Sequence, residues 1–592
     1  MRAYLSTLDI AVVGIFILVV LSVGLALSRR ASRSTEEFFI SGRSLPWWIV
    51  GTSMVATTFA ADTPLVVAGL VARGGIVKNW LWWQWGIGGI VAVFLFARLW
   101  RRAGITTDAE LAELRYDGRP AAVLRGYRAL WFGFFQNILV IAWVMKAMAK
   151  IVIVVMGWEG GVTVLGVDAE VFTVLVLFVV AVCYTALSGL WGVVVTDFLQ
   201  FVIAMTGSIY LAIAALHRLG GIAGVREGLA AHGFDVAETL RIVPGTATIF
   251  QANAFTEFLV LVLIVWWANY NIDGGGYLAQ RMFAAKDERH SALGYLWYSV
   301  AHICLRPWPW IVVGLCGMAL FGAVEDPETY YPMMMRETLP PGFFGLVIAS
   351  FFAAFMSTVD TQLNWGSSLL VNDFARRFLW KGRSERFYLI VARLAIVALA
   401  VAGAIASFAV NDISLAWKLV ISITAGLGTV VIARWYWWRV NAWSEVSAMA
   451  TALVCTIVFG VLSRHPGCRD LAVLQFPFSV AATVFVSLPV WLLVTYLTPP
   501  VGRDHLVRFH RRVRPGGPGW RAIAPSGTPG TAWIRTAVSI VAGVVLINGA
   551  LIGIGKLVLR MTVSGVVALA IAAAAGMVLA VTIRASAASG DG

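Results

Sequence analysis

Apolar runs long enough to cross a bilayer recur along almost the whole chain, and the polar residues that interrupt them carry most of the information. A spanning helix needs about 20 mostly apolar residues. Fifteen such segments are predicted, near 8–28, 46–74, 78–100, 127–156, 171–189, 191–216, 251–280, 290–322, 343–376, 386–409, 413–434, 442–463, 472–497, 532–555 and 561–584. The first run is too long for a signal-peptide core and lacks a small-residue cleavage pattern, so it reads as a helix. The expected class is an all-α polytopic membrane protein.

Two of these segments are broken in the middle. Segment 2 reads WWIVGTSMVATTFAADTPLVVAGL, with Thr57, Thr58, Asp62, Thr63 and Pro64 at its centre. Segment 7 reads LVLIVWWANYNIDGGGYLAQR, with Asn269, Asn271, Asp273 and three consecutive glycines. Proline removes a backbone donor and clashes with the preceding turn, and each glycine weakens a helix by about 1 kcal/mol. Both segments are therefore expected to unwind. Exposed backbone at membrane depth is tolerated only against protein or a water-filled cavity, and Asp62 and Asp273 place a costly carboxylate beside each break. The broken segments are five apart and cross in opposite directions. That spacing predicts an inverted five-plus-five repeat, segments 2–6 and 7–11, with one helix before and four after.

Segment 9 contains FFAAFMSTVDTQLNWGSSLLVNDF, residues 351–374. Ala354, Ser357, Thr358 and Thr361 fall at helical spacing on one face. Two neighbouring hydroxyls with nearby carbonyls form a hard-oxygen site of low charge, which suits a monovalent cation, sodium above all. The remaining ligands would be carbonyls released where segment 2 unwinds. The competing reading is that Ser and Thr bond their own i−4 carbonyls, which accounts for one hydroxyl better than for the whole cluster MSTVDTQLN.

Composition agrees with this class: 60% of residues are hydrophobic and 13% charged, against about 25% charged in soluble domains. The net charge of +14 is concentrated in alternate loops, among them SRRASRSTEEFFISGR, RRAGITTDAELAELRYDGRPAAVLRGYR, ARRFLWKGRSER and RDHLVRFHRRVRPGGPGWR. The opposite loops GWEGGVTVLGVDAE and GAVEDPETYYP are acidic. Basic loops face the cytoplasm, so the N-terminus is expected outside, the C-terminus inside, and the location is a cell (inner) membrane. No basic domain outside the bilayer suggests nucleic acid. The five cysteines show no CxxC spacing, and HExxH and GxSxG are absent, which argues against an enzyme.

Three segments carry a family resemblance. EEFFISGRSLPWWIVGTSMVATTFAAD resembles the entry to the first broken helix of the sodium:solute symporter family. YTALSGLWGVVVTDFLQ and AAFMSTVDTQLNWGSSLLVNDF resemble its fifth-helix signature and its sodium-site helix. The similarity covers about residues 5–500 and implies the LeuT-type inverted-repeat fold. It also implies sodium-coupled symport of a small polar organic solute, sugar/polyol- or amino-acid-like, into the cell by alternating access. By resemblance the sodium site falls on the carbonyls of Ala56, Phe59 and Ala354 and the hydroxyls of Ser357 and Thr358. Asp197 and Asp360 would serve sodium exit and coupling, and Thr58, Asp62, Thr63, Asn269, Asn271 and Asp273 the solute. Ala268 stands where sugar-transporting members have Asn, and their aromatic gate is missing near Asn271. A non-transporting sensor on the same scaffold is the alternative, although no run after segment 13 is long enough for a soluble output domain.

Other charged residues within segments need partners. Arg306 is expected to pair with Asp273 or Asp360, Lys150 to snorkel outward, and Lys146 to reach the cavity. Trp47, Trp48, Trp266 and Trp267 are expected to wall it. Residues 1–500 form the transport core, with repeats at about 46–216 and 251–434. A basic cytoplasmic linker (501–531) then leads to two extra small-residue-rich helices within 532–592.

Overall fold

The computed structural model describes residues 5–31, 35–246, 253–524 and 530–588. The start of the predicted segment at 251, part of the 501–531 linker and the last four residues lie outside that set, as do several side chains of the YTALSGLWG motif.

Helices account for almost the whole architecture; a short antiparallel pair, Thr163–Val164 with Val167–Asp168, is the one sheet among the described residues. In chain order the helices are α1 (Thr7–Ala31), α2 (Trp47–Thr57), α3 (Asp62–Gly74), α4 (Ile76–Leu95), α5 (Ala97–Ala103), α6 (Gly118–Met156), α7 (Ala169–Arg218), α8 (Ala254–Ala268), α9 (Tyr277–Ala284) and α10 (Glu288–Phe321). There follow α11 (Phe343–Leu379), α12 (Glu385–Ser407), α13 (Ile413–Ile423), α14 (Leu427–Tyr436), α15 (Ala442–Leu462), α16 (Phe478–Leu497), α17 (Arg503–Val513), α18 (Gly530–Val558) and α19 (Thr562–Ala588). Every predicted segment overlaps one of these helices or pairs. By length and apolarity, nine described helices qualify as spans, or twelve when each bent pair counts as one. The bends are 57° between α2 and α3, 52° between α4 and α5, and 48° between α13 and α14.

Segments 5 and 6 form the single helical string α7, yet the chain doubles back within it. Thr185 hydrogen-bonds Asp360, and Ser357 bonds Asp197 at 2.5 Å. A straight helix would carry residues 185 and 197 about 18 Å apart, whereas 357 and 360 are separated by about 4.5 Å along α11. Both ends of α7 also reach the same end of the bundle. Lys146 pairs with Glu170 at 2.6 Å and Arg218 with Glu337 at 3.1 Å, and the neighbouring Arg336 lies 3.3 Å from Glu159. The reversal therefore falls between Thr185 and Asp197, where the two predicted segments meet.

Burial ranks the helices. In its most apolar stretch α11 is 83% buried, whereas α19 is 11% buried; α11 is the central post and α19 presents itself to lipid. The α18–α19 hairpin docks on α4 and α10. Trp308 donates its indole N–H to the Leu551 carbonyl at 3.0 Å, and a Cβ on Gly555 would lie 1.8 Å from the Trp308 ring. Glycine is required there for the close approach.

Candidate functional site

The first break covers the residues between Thr57 and Asp62. Pro64 lies in the first turn of α3, where a missing N–H costs nothing, so the helix breaks before the proline rather than at it. The freed carbonyls are tied by side chains from elsewhere. Arg306 of α10 donates to the Val55 carbonyl at 3.1 Å and the Thr58 carbonyl at 2.6 Å. Thr358 of α11 donates to the Thr57 carbonyl at 2.8 Å, and the Phe59 N–H closes on Ala56 at 2.9 Å. Arg306 also donates to Thr58 Oγ1 at 2.7 Å and to His302 Nδ1 at 2.7 Å. Its guanidinium lies 5.2 Å from the Phe59 ring centroid and 5.1 Å from that of Trp310, which are cation–π distances. Because Arg306 can only donate, His302 Nδ1 accepts and the ring proton sits on Nε2.

Below the break, Asp197 is buried between two hydroxyls. Ser357 donates to its Oδ1 at 2.5 Å, Ser53 donates to its Oδ2, and Arg281 stands 3.8 Å from Oδ2. The fully buried Arg281 also bonds Ser53 Oγ at 3.2 Å and Thr57 Oγ1 at 2.9 Å, and it reaches Thr361 as well. Sequence reasoning missed this residue. The signal was present, since the pattern LAQRMFAA stays apolar through Ala285 and places Arg281 inside a half-helix rather than in a loop. The five predicted sodium positions, Ala56, Phe59, Ala354, Ser357 and Thr358, are all buried. Of these the structure ties Thr358 to the break and Ser357 to Asp197, with Ala354 one turn away on α11. Asp360 is held by Thr185 and lies off the cavity.

The second break runs from Asn269 to Gly276. Gly274 and Gly276 have φ of +78° and +76°, which glycine adopts without strain. Asp273 Oδ2 accepts from Arg434 Nη2 at 2.6 Å and from Trp435 Nε1 at 2.8 Å, while its carbonyl accepts from Trp100 at 2.6 Å. Arg434 continues to Glu445 at 3.3 Å, and Glu445 to Arg128 at 3.1 Å. Asn269 is fixed by Thr424, which donates to its Oδ1 at 2.9 Å.

The two breaks share one cavity of about 210 Å³. Thr58, Asp62, Thr63, Asn269 and Asn271, five of the residues the sequence assigns to the solute, line it. Asp273 does not; it faces Arg434 instead. Arg306 pairs with neither Asp273 nor Asp360, because its contacts gather at the first break. Lys146 pairs with Glu170 rather than reaching the cavity, and Lys150 is held by Asp326 at 2.9 Å and Glu328 at 2.7 Å rather than snorkelling. Trp266 walls the cavity, but Trp47 and Trp48 are 38% and 45% exposed on the outside of the bundle and Trp267 is not among the lining residues. Several lining groups escaped sequence reasoning, notably Gln136, His302, Gln362 and Trp417. They come from four helices far apart in the chain, and only Gln362 lies within a motif, the cluster MSTVDTQLN.

Two broken helices whose interruptions face one central cavity, with a hydroxyl-bearing helix laid across the first, define a secondary transporter of the LeuT type. The chain belongs to the sodium:solute symporter family. Comparison with protein-family models matches residues 38–454 to the description "Sodium:solute symporter family". A sodium/glucose cotransporter 4 from Danio rerio is 27% identical over 559 residues, covering 85% of this chain and 81% of its own length. A sodium/glucose cotransporter from Vibrio parahaemolyticus is 24% identical over 519 residues, covering 82% and 91%. A sodium/mannose cotransporter from Bos taurus is 26% identical over 496 residues, covering 78% and 76%. Among solved structures, a substrate-bound, outward-open Na+-coupled sialic acid symporter superposes with a TM-score of 0.66 at 20% identity, over 84% of this chain and 99% of that one. The chain is thus a multi-pass membrane transporter, not an enzyme, and sodium is its coupling ion.

Proposed function

We propose that the protein carries a small polar organic solute, sugar/polyol-like or amino-acid-like, into the cell together with sodium, across the cell (inner) membrane. The N-terminus lies outside and the C-terminus in the cytoplasm, an assignment supported by the basic loops gathered at one end. The transport core spans about residues 1–500, with repeats near 46–216 and 251–434; 501–531 is a cytoplasmic linker, and 532–592 adds two helices. The glucose and mannose named for the relatives favour the sugar/polyol side of this reading.

The observation that carries it is the position of the Ser357 and Thr358 hydroxyls against the first break. Each hydroxyl donates its proton, to Asp197 and to the Thr57 carbonyl, and keeps lone pairs free. Such oxygens can coordinate sodium without breaking these bonds. Ala56, Phe59 and Ala354 would add carbonyl ligands. Sodium would then clasp α2 to α11 and hold the cavity in its solute-binding shape, while Asp197 beside Arg281 gives the departing ion a carboxylate to pass. Low internal sodium then favours release, and Asp360 would act with Asp197 in the coupling.

The test is Ser357→Ala with Thr358→Ala in reconstituted vesicles. Sodium-dependent uptake and the sodium-dependent rise in melting midpoint should both disappear, while the folded protein remains in the membrane. Unchanged sodium dependence would remove the mechanism.

A further inference from the structure

The transport reading leaves the chemistry of the solute open, and the cavity's own unpaired atoms narrow it; a solute assigned from them stands only if that reading stands. Among the described residues that line the cavity, Asp62 is the only one of the Asp, Glu, Lys and Arg types. Its side chain is 1% exposed. Oδ2 accepts the indole N–H of Trp417 at 2.8 Å, whereas Oδ1 is buried with no hydrogen-bond partner among the described residues. A carboxylate oxygen left in this condition is costly unless a cation or donor meets it.

No described side chain fills that role. Arg306 is the cation of the same break, but its hydrogen bonds go to the Val55 and Thr58 carbonyls, Thr58 Oγ1 and His302, and it does not line the cavity. The walls around Asp62 are aromatic: Trp82, Trp85, Trp143 and Trp417 line the same space. A carboxylate in a space lined by indoles suits an organic ammonium group, which can pair with the acid and lie against a ring. Three further residues that line the cavity each carry a buried atom without a described partner, Gln136 Oε1, Gln362 Oε1 and Trp85 Nε1. They suit the hydroxyl groups of the same ligand, since a hydroxyl both donates and accepts.

We infer that the transported solute is a small hydroxylated compound bearing a protonated amine, with the ammonium on Asp62 Oδ1 and the hydroxyls on Gln136, Gln362 and Trp85. The glucose and mannose named for the relatives carry no charge, so the inference separates this chain from them.

Matched probes test it on the purified full-length protein in sodium chloride and in potassium chloride. The pairs are glucosamine against glucose and N-acetylglucosamine, and N-methylglucamine against glucitol. In sodium, the melting midpoint should rise with glucosamine or N-methylglucamine at concentrations about tenfold below those needed for the neutral partner, because a charge-assisted bond is worth at least about 1.4 kcal/mol. Asp62→Asn, which keeps an oxygen for Trp417, should erase that preference. Equal responses to charged and neutral partners, or a preference unchanged in Asp62→Asn, overturn the inference. So does loss of the sodium-only shift in Asp62→Asn, which would make Asp62 a ligand of the ion. If wild-type protein shows no sodium-only shift at all, the transport reading falls first. Charged against neutral probes on wild-type protein decide the question even where the variant does not fold.

Discussion

The two helix breaks solve the same problem with different chemistry. Around the first, the released carbonyls of Val55, Thr57 and Thr58 are tied by a neutral hydroxyl and one guanidinium that reach in from other helices. Around the second, an acidic side chain of the break itself is locked in a buried ion pair, Asp273 to Arg434, extended through Glu445 to Arg128. A hydroxyl that donates one hydrogen bond keeps lone pairs for a cation, whereas removing one partner of a buried ion pair is expensive. The first break is thus built to take up a ligand, and the second to hold its shape while its neighbour does so.

The largest effect should come from dissolving the lock. Arg434→Gln leaves Asp273 buried without its cation, while Glu445 keeps Arg128, and should cost about 3–5 kcal/mol, read as a large fall in melting midpoint and loss of uptake. Arg434→Met with Asp273→Asn should recover part of the stability. Next, Gly274→Ala forces a side chain into φ +78°, 2.9 Å from the Met282 methyl and 3.1 Å from the Tyr295 ring, and should cost about 1–3 kcal/mol. Thr358→Val removes a single tie of the first break and should lower stability by only about 1 kcal/mol; its signature is a weakened sodium response. If Thr358→Val proved more damaging to stability than Arg434→Gln, the contrast between the breaks would be reversed.

The smallest effect concerns a buttress of the second break. Phe509 of α17 packs near Trp435, and His505 on the same helix donates Nε2–H to the Leu114 carbonyl at 3.0 Å. Burial holds the His505 imidazole below its ordinary value, against smaller opposing effects from Leu114 and Asp117. The neutral ring is therefore favoured in the folded protein, and the unfolded chain takes up the proton first as pH falls. Stability should be full above the ordinary imidazole pKa of about 6.5 and decline modestly below it, and His505→Gln should flatten that slope.

The breaks themselves were legible because proline, glycine triplets and mid-membrane polar clusters are local signals. The apolar segments and the hydroxyl face of α11 followed from hydropathy and periodicity for the same reason, although segments 5 and 6 came out as one helical string. Partnerships were not legible. Asp273 reads as a ligand-binding acid until Arg434 is seen to come from a helix 161 positions away. Arg306 looks in need of a carboxylate, yet its two Nη groups bond two backbone carbonyls, a threonine hydroxyl and a histidine. Lys146 meets an acid in the first turn of α7, and Lys150 two acids in the connection before α11, pairings that no periodicity places. Arg281 falls just past the predicted segment 251–280, because a charge at the end of an apolar run usually marks the membrane boundary; here it marks the centre of a polar cluster.

The seam between Gly555 and Trp308 has a mechanical consequence. It fastens the α18–α19 hairpin to α4 and α10, so the hairpin rides with those helices as one piece. Most of α19 is open to lipid, and any tilt of α4 and α10 must drag that wide apolar flank through the bilayer. Membrane thickness then enters the balance between conformations: a mismatch costs a fraction of a kcal/mol per Å, multiplied by a fin that a chain ending at residue 500 would not have. The turnover rate of this transporter should depend on the acyl-chain length of the vesicle that holds it.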